Sequence, residues 1–280
     1  MNIIDWLLNV ACVFLWIDWR SGRIGRPQTA LSIASALRPT GRTSSRGLGS
    51  LAALFAILLV RPLFYFSIGP SINWTGSLNF IAIAVPWRSD VLSRMYLFST
   101  LSFLVALGIY YSWLFFLAGV NRHRGPINDE EVMHRFVRGQ LGLLDRIPWW
   151  LKLFIPSLVA AIFWMLLSIL LVELELIPPT QNPNAMRGQA TAFALAALLS
   201  WKWLLIFIFI VHLLNLYVYL GTHPLWTYLS ASARIVLYPL SFLRVGKVDL
   251  SPVAGIAFVL LVSELVLKPL VIDLFRRHIV

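Results

Sequence analysis

Apolar residues in this chain gather in long runs instead of alternating with polar ones. A helix that crosses a bilayer needs about 20 mainly apolar residues. The candidates are 3–17, 51–68, 95–120, 149–172, 195–220 and 252–272. The first is short and carries Asp5, so it must tilt, thin the bilayer or lean on neighbouring helices. The pattern predicts an all-α membrane protein with about six transmembrane helices.

The stretches between alternate spans carry a different period. Over 128–146, Asn128 can cap a helix with Glu131 three residues on; Val132, Met133, Phe136, Val137, Leu141 and Leu144 share one face, and His134, Arg135 and Arg138 the other. Over 223–244, Leu225, Trp226, Leu229, Ile235, Val236, Leu240 and Phe242 are interleaved with Ser and Thr, and 29–37 has a related pattern. Such segments are expected to lie in the membrane interface. The chain then divides into three hairpins, 1–68, 95–172 and 195–280, each made of span, amphipathic segment and span. External links fall at 69–94 and 173–194. Internal echoes agree: Val60-Arg61-Pro62-Leu63 repeats as Leu267-Lys268-Pro269-Leu270, and Ile155-Pro156-Ser157-Leu158-Val159 resembles Leu250-Ser251-Pro252-Val253. Repeats of this kind imply pseudo-symmetric packing.

Composition adds a compartment. Hydrophobic residues make up 59% of the chain and charged residues 12%, with a mean hydropathy of +0.79, which excludes a soluble globular protein. The net charge of +11 is concentrated in the links at Arg20, Arg23, Arg26, Arg38, Arg42 and Arg46, at Arg122, Arg124, Arg135, Arg138 and Arg146, and at Arg234, Arg244 and Lys247. By the positive-inside rule these links are cytoplasmic and both termini lie outside, as in a bacterial inner membrane protein whose first run is a signal anchor. Arg20, Arg23, Arg26, Arg135, Arg138, Arg244 and Lys247 are then expected to meet anionic lipid headgroups or a partner, with no nucleic acid involved. The single cysteine, Cys12, excludes a disulfide framework.

Ionisable and amide groups inside apolar runs are the candidate chemistry. Glu264 and Lys268 stand four apart and can pair along one helix. Lys202, between Trp201 and Trp203, reads as a snorkelling residue. His212 and Asn215 share a face, with three readings open: a hydrogen bond to a neighbouring helix, an axial ligand to haem or chlorophyll from His212, or a proton or ion path with Glu264. No catalytic constellation, metal motif or phosphate loop is found, so no enzyme is expected.

At 244–253 a basic turn runs into the last span. Asp249 or Ser251 can accept first-turn N–H groups there, and Pro252 suits the first helical position. This segment, with Gly246, Asp249, Ser251 and Pro252 at its key positions and Tyr238-Pro239-Leu240 before it, resembles the signature turn of the YggT/YlmG family of small integral membrane proteins. The resemblance covers 195–280. It implies a two-span hairpin whose link ends in that turn, and a structural, assembly or accessory role without catalysis, since plastid relatives look like assembly factors for a cytochrome complex. The expected function is therefore a non-catalytic subunit or scaffold of a larger membrane complex, with other integral membrane proteins as partners. A small ion or solute channel or transporter is the alternative.

Overall fold

The computed structural model describes residues 2–23, 44–80, 83–121, 130–177, 183–218, 223–245 and 248–277. The expected sites at Arg26, Gly246 and Lys247, the cap at Asn128 and the segment 29–37 lie outside the described residues. The chain is an all-α membrane protein. Its helices are α1 Asn2–Arg23, α2 Ser44–Ile68, α3 Leu92–Val120, α4 Glu130–Leu141, α5 Trp149–Glu173, α6 Pro183–Leu199, α7 Trp201–Tyr217, α8 Pro224–Val236, α9 Ser251–Leu261 and α10 Lys268–Arg277. Strands β1 Thr75–Phe80 and β2 Ile83–Arg88 pair with each other. The two-residue strands β3 Arg244–Val245 and β4 Val248–Asp249 pair antiparallel, with Arg244 opposite Asp249.

Among the described residues, five helical stretches are long and apolar enough to cross a membrane: Gly47–Ile68, Leu92–Val120, Trp149–Glu173, Pro183–Tyr217 and Ser251–Arg277. The expected first span is a helix, α1, but Asp5, Asp18 and Arg20 interrupt its apolar face and it is not one of the five. Contacts divide the chain into two compact units, 1–79 with 84–110, and 80–83 with 111–280, so the boundary falls within α3 and cuts the second expected hairpin.

In the first unit α1 packs along α2. Cys12, Leu54 and Phe103 form an apolar core there, and Tyr65, Trp74, Trp87 and Phe98 form an aromatic cluster. Pro62 lies inside α2 and cannot donate to the carbonyl of Leu58. The Ser99 hydroxyl donates to that carbonyl instead, at 3.4 Å, so the proline leaves no orphan acceptor.

In the second unit α5 packs along α6, α6 along α10, α7 against α8 and α9, and α4 against α8. Residues 183–194 were expected to belong to an external link, because Pro178, Pro179, Pro183 and Arg187 punctuate them. They are helical: Pro183 is the first residue of α6, where a missing N–H costs nothing, and an Ala-rich run follows. Trp164 of α5 stacks on Phe193 of α6 with centroids 3.9 Å apart, and Phe275 of α10 closes edge-on against Trp164.

The described parts of two amphipathic segments form α4 and α8. In α8, Tyr228 through Ala233 are all buried, because Ser and Ala are small enough to let neighbouring helices approach closely. α4 follows the expected pattern more closely, with Val137 and Leu141 buried and Arg135 and Arg138 exposed.

Candidate functional site

The first polar centre lies in the first unit, where α1, α2 and α3 meet. Asp5 forms an ion pair with Arg61, whose side chain is 1% exposed. Arg61 Nη2 donates to Asp5 Oδ1, Nη1 to Asn9 Oδ1 at 2.9 Å, and Nε to the Tyr65 hydroxyl at 3.1 Å. The Tyr65 hydroxyl in turn donates to Asp5 Oδ1 at 3.1 Å, and Ser102 Oγ donates to Asp5 Oδ2 at 3.1 Å. Asn9 Nδ2 completes the ring by donating to Ser102 Oγ at 2.7 Å. The guanidinium also lies over the rings of Tyr65 and Phe98. A charge this deep is tolerated when its hydrogen bonds are made, and here three helices supply the partners. Sequence reasoning noted Asp5 only as a defect of a short span, and Arg61 only as part of an echo. A lone acid in one apolar run and a lone base in another was the signal available for pairing them.

The second centre lies on α7 and the last span. Glu264 accepts from Lys202 Nζ at 2.7 Å and from Lys268 Nζ at 2.9 Å. The expected Glu264–Lys268 pair is present. Lys202, expected to snorkel alone, instead completes a triad across two helices. Glu264 belongs to a π-helical segment, Val262–Leu267, that separates α9 from α10. The Lys268 N–H accordingly reaches back five residues to the carbonyl of Ser263. Pro269 explains the irregularity: it has no N–H and its ring crowds the carbonyl four residues earlier, so the preceding turn widens.

A second break faces this one. The stretch Pro183–Tyr217 is interrupted at its midpoint by Ser200, and Glu264 is the midpoint of Ser251–Arg277. The Ser200 carbonyl accepts from Trp113 Nε1 at 2.9 Å, Trp201 Nε1 donates to Ser112 Oγ at 2.8 Å, and the two serine hydroxyls are 3.2 Å apart. α3 thus stitches the break shut.

The residues of the two centres stand in similar local sequences. Asp5-Trp6-Leu7-Leu8 is similar to Lys202-Trp203-Leu204-Leu205, and Arg61-Pro62-Leu63 to Lys268-Pro269-Leu270. Asp5 and Arg61 have opposite charge and pair directly. Lys202 and Lys268 have like charge, and Glu264 bridges them.

The remaining expected residues fall into smaller ties. His212, only 3% exposed, and Asn215 both reach Ser230 of α8, with His212 Nδ1 at 3.0 Å and Asn215 Nδ2 at 3.2 Å from its hydroxyl. Of the three readings of His212, the bond to a neighbouring helix is the one with atoms in place. Next to it on α8, Ser232 Oγ accepts from Asn121 Nδ2 at 2.8 Å. At the start of α9, Asp249 Oδ1 accepts from the Ser251 N–H at 3.0 Å and also from the Ser251 hydroxyl. Asp249 therefore supplies the acceptor, while Ser251 is a donor, and Pro252 is the second helical residue. Arg20 and Arg23 lie in the last turns of α1.

Among the described residues, no group of three or more His, Cys, Asp or Glu side chains could hold a metal ion. No protein-family model matches the chain, and no curated protein or solved structure matches it.

Proposed function

We propose that the chain is a non-catalytic integral membrane subunit or assembly scaffold of a larger membrane complex, in a bacterial inner membrane with its basic links on the cytoplasmic side. The supporting observation is where the charged groups sit. Asp5 and Arg61 are consumed in holding three helices together. Glu264 and Lys268 face outward from apolar helices, among exposed Leu265, Val266 and Leu270. Ionised groups on the outside of a membrane helix are costly against lipid, so a protein partner is the natural cover. The likeness of Gly246, Asp249, Ser251 and Pro252 to the YggT/YlmG turn, and the accessory role it implies, points the same way. Purification of the full chain in a mild detergent tests this: other integral membrane proteins should accompany it, and Glu264→Gln should release them. A protein that runs alone and conducts ions or solute in liposomes overturns the proposal.

One observation favours a channel or transporter as second reading. Transporters place helix breaks in corresponding positions at the membrane midplane, around the substrate site. The breaks at Ser200 and Val262–Leu267, with three ionised groups beside them, have that form. Flux in liposomes that disappears on Glu264→Gln would select this reading.

A further inference from the structure

The start of α5 holds a cavity that neither reading uses. It has a volume of about 220 Å³ and is lined by Ala118 of α3, His134, Val137 and Arg138 of α4, Asp145 and Ile147 of the turn, and Trp149 and Lys152 of α5. Asp145 stands between two cations: Lys152 Nζ lies 2.6 Å from Oδ1, and Arg138 Nε lies 3.4 Å from Oδ2. Lys152 is 8% exposed and Arg138 is 56% exposed. One carboxylate cannot neutralise two cations, so the cavity keeps a net positive charge before His134 is counted. The α5 N-terminus adds to it, because its capping residue, Pro148, makes no side-chain hydrogen bond to the first-turn N–H groups.

The surroundings are those of a bilayer boundary. Leu143 and Leu144, on the same turn as Asp145, are exposed, the former by 78%, and Trp149 and Trp150 stand half exposed at the start of an apolar span. Leucines in the open beside cations, with tryptophans at the same level, are the arrangement of a surface that dips into headgroups and acyl chains.

We propose that this cavity binds the phosphate of an anionic phospholipid headgroup. Arg138 and Lys152 are the phosphate partners, His134 lies on the wall, and Asp145 holds the two cations against one carboxylate. The protein's surface then has a specific lipid position, distinct from a general attraction of its arginines to negative charge.

The purified full-length protein, incubated with dioleoyl phosphatidylglycerol or with dioleoyl phosphatidylcholine, is examined by native mass spectrometry for retained lipid. Phosphatidylglycerol should be held about tenfold more tightly: both lipids carry the phosphate, but the choline cation of phosphatidylcholine is repelled by Arg138 and Lys152 and offsets about one charge-assisted contact. Arg138→Gln should reduce it to the phosphatidylcholine level, while Arg187→Gln, at an exposed arginine of α6 outside the cavity, leaves it unchanged. Lys152→Met breaks a buried pair and can prevent folding, so Arg138→Gln carries the test. Inorganic phosphate is the second probe: if it displaces phosphatidylglycerol from the wild type and fails to bind Arg138→Gln, the phosphate site stands and its source is a solute. Equal retention of both lipids, or equal loss in the Arg187 and Arg138 variants, overturns the proposal.

Discussion

Asp5 and Arg61, fifty-six residues apart in sequence, form an ion pair inside the first unit in which the arginine side chain is almost wholly enclosed. The pair recruits Asn9, Tyr65 and Ser102, so its energetics belong to a network. Removing one ion leaves the other buried and unpaired, at about 3–5 kcal/mol. Arg61→Met and Asp5→Leu should each lower stability by that order in thermal unfolding in detergent. The double variant should lose much less than the sum, because neither charge then remains.

His212 and Asn215 share one acceptor, the Ser230 hydroxyl. Ser230→Ala should therefore cost about 1 kcal/mol, in the range for hydrogen bonds between membrane helices. His212→Ala added to it should cost less than His212→Ala costs the wild type, because the shared bond is already gone. A double-mutant cycle followed by chemical unfolding measures the coupling.

Gly255 of α9 is where the last span meets its neighbours most closely. A Cβ there would come within 2.5 Å of Leu237 Cδ2 and 3.0 Å of Phe209 Cε2. Gly255→Ala should destabilise by about 1–3 kcal/mol through overpacking, although the same exchange in an open helix is favourable. Gly108, with nothing near its would-be Cβ, is the control, and Gly108→Ala should be neutral or stabilising.

Asp249 accepts the first-turn N–H of Ser251 at the mouth of α9. Asp249→Ala should cost about 0.5–1.5 kcal/mol, the usual net worth of a hydrogen bond. The yield of folded protein on size exclusion should fall, and Asp249→Asn, which keeps an acceptor oxygen, should restore most of it.

How far the chain could be read from its residues follows from the range of each interaction. The apolar runs and the Asp249 turn are local, and the helices form where the runs lie. Glu264 and Lys268 are four residues apart on one helix, so their pairing could be stated in advance. The partner of Arg61 could not, because helical periodicity places a residue on a face without saying which helix covers that face. α6 was missed because prolines and Arg187 resemble a link. What makes it helical is Pro183 in a position that tolerates proline, together with the surface offered by Trp164. The burial of α8 was not legible because Ser and Thr look like solvent-facing residues, whereas Ser230 and Ser232 are hydrogen-bonding partners for α7 and Asn121.

The enclosure of Arg61 also bears on the order of biosynthesis. When α1 leaves the ribosome, the base that neutralises Asp5 has not yet been made, and it arrives only near the end of α2. A carboxylate with no partner resists entry into hydrocarbon. Any entry of α1 into hydrocarbon is therefore coupled to the synthesis of α2, which carries its base.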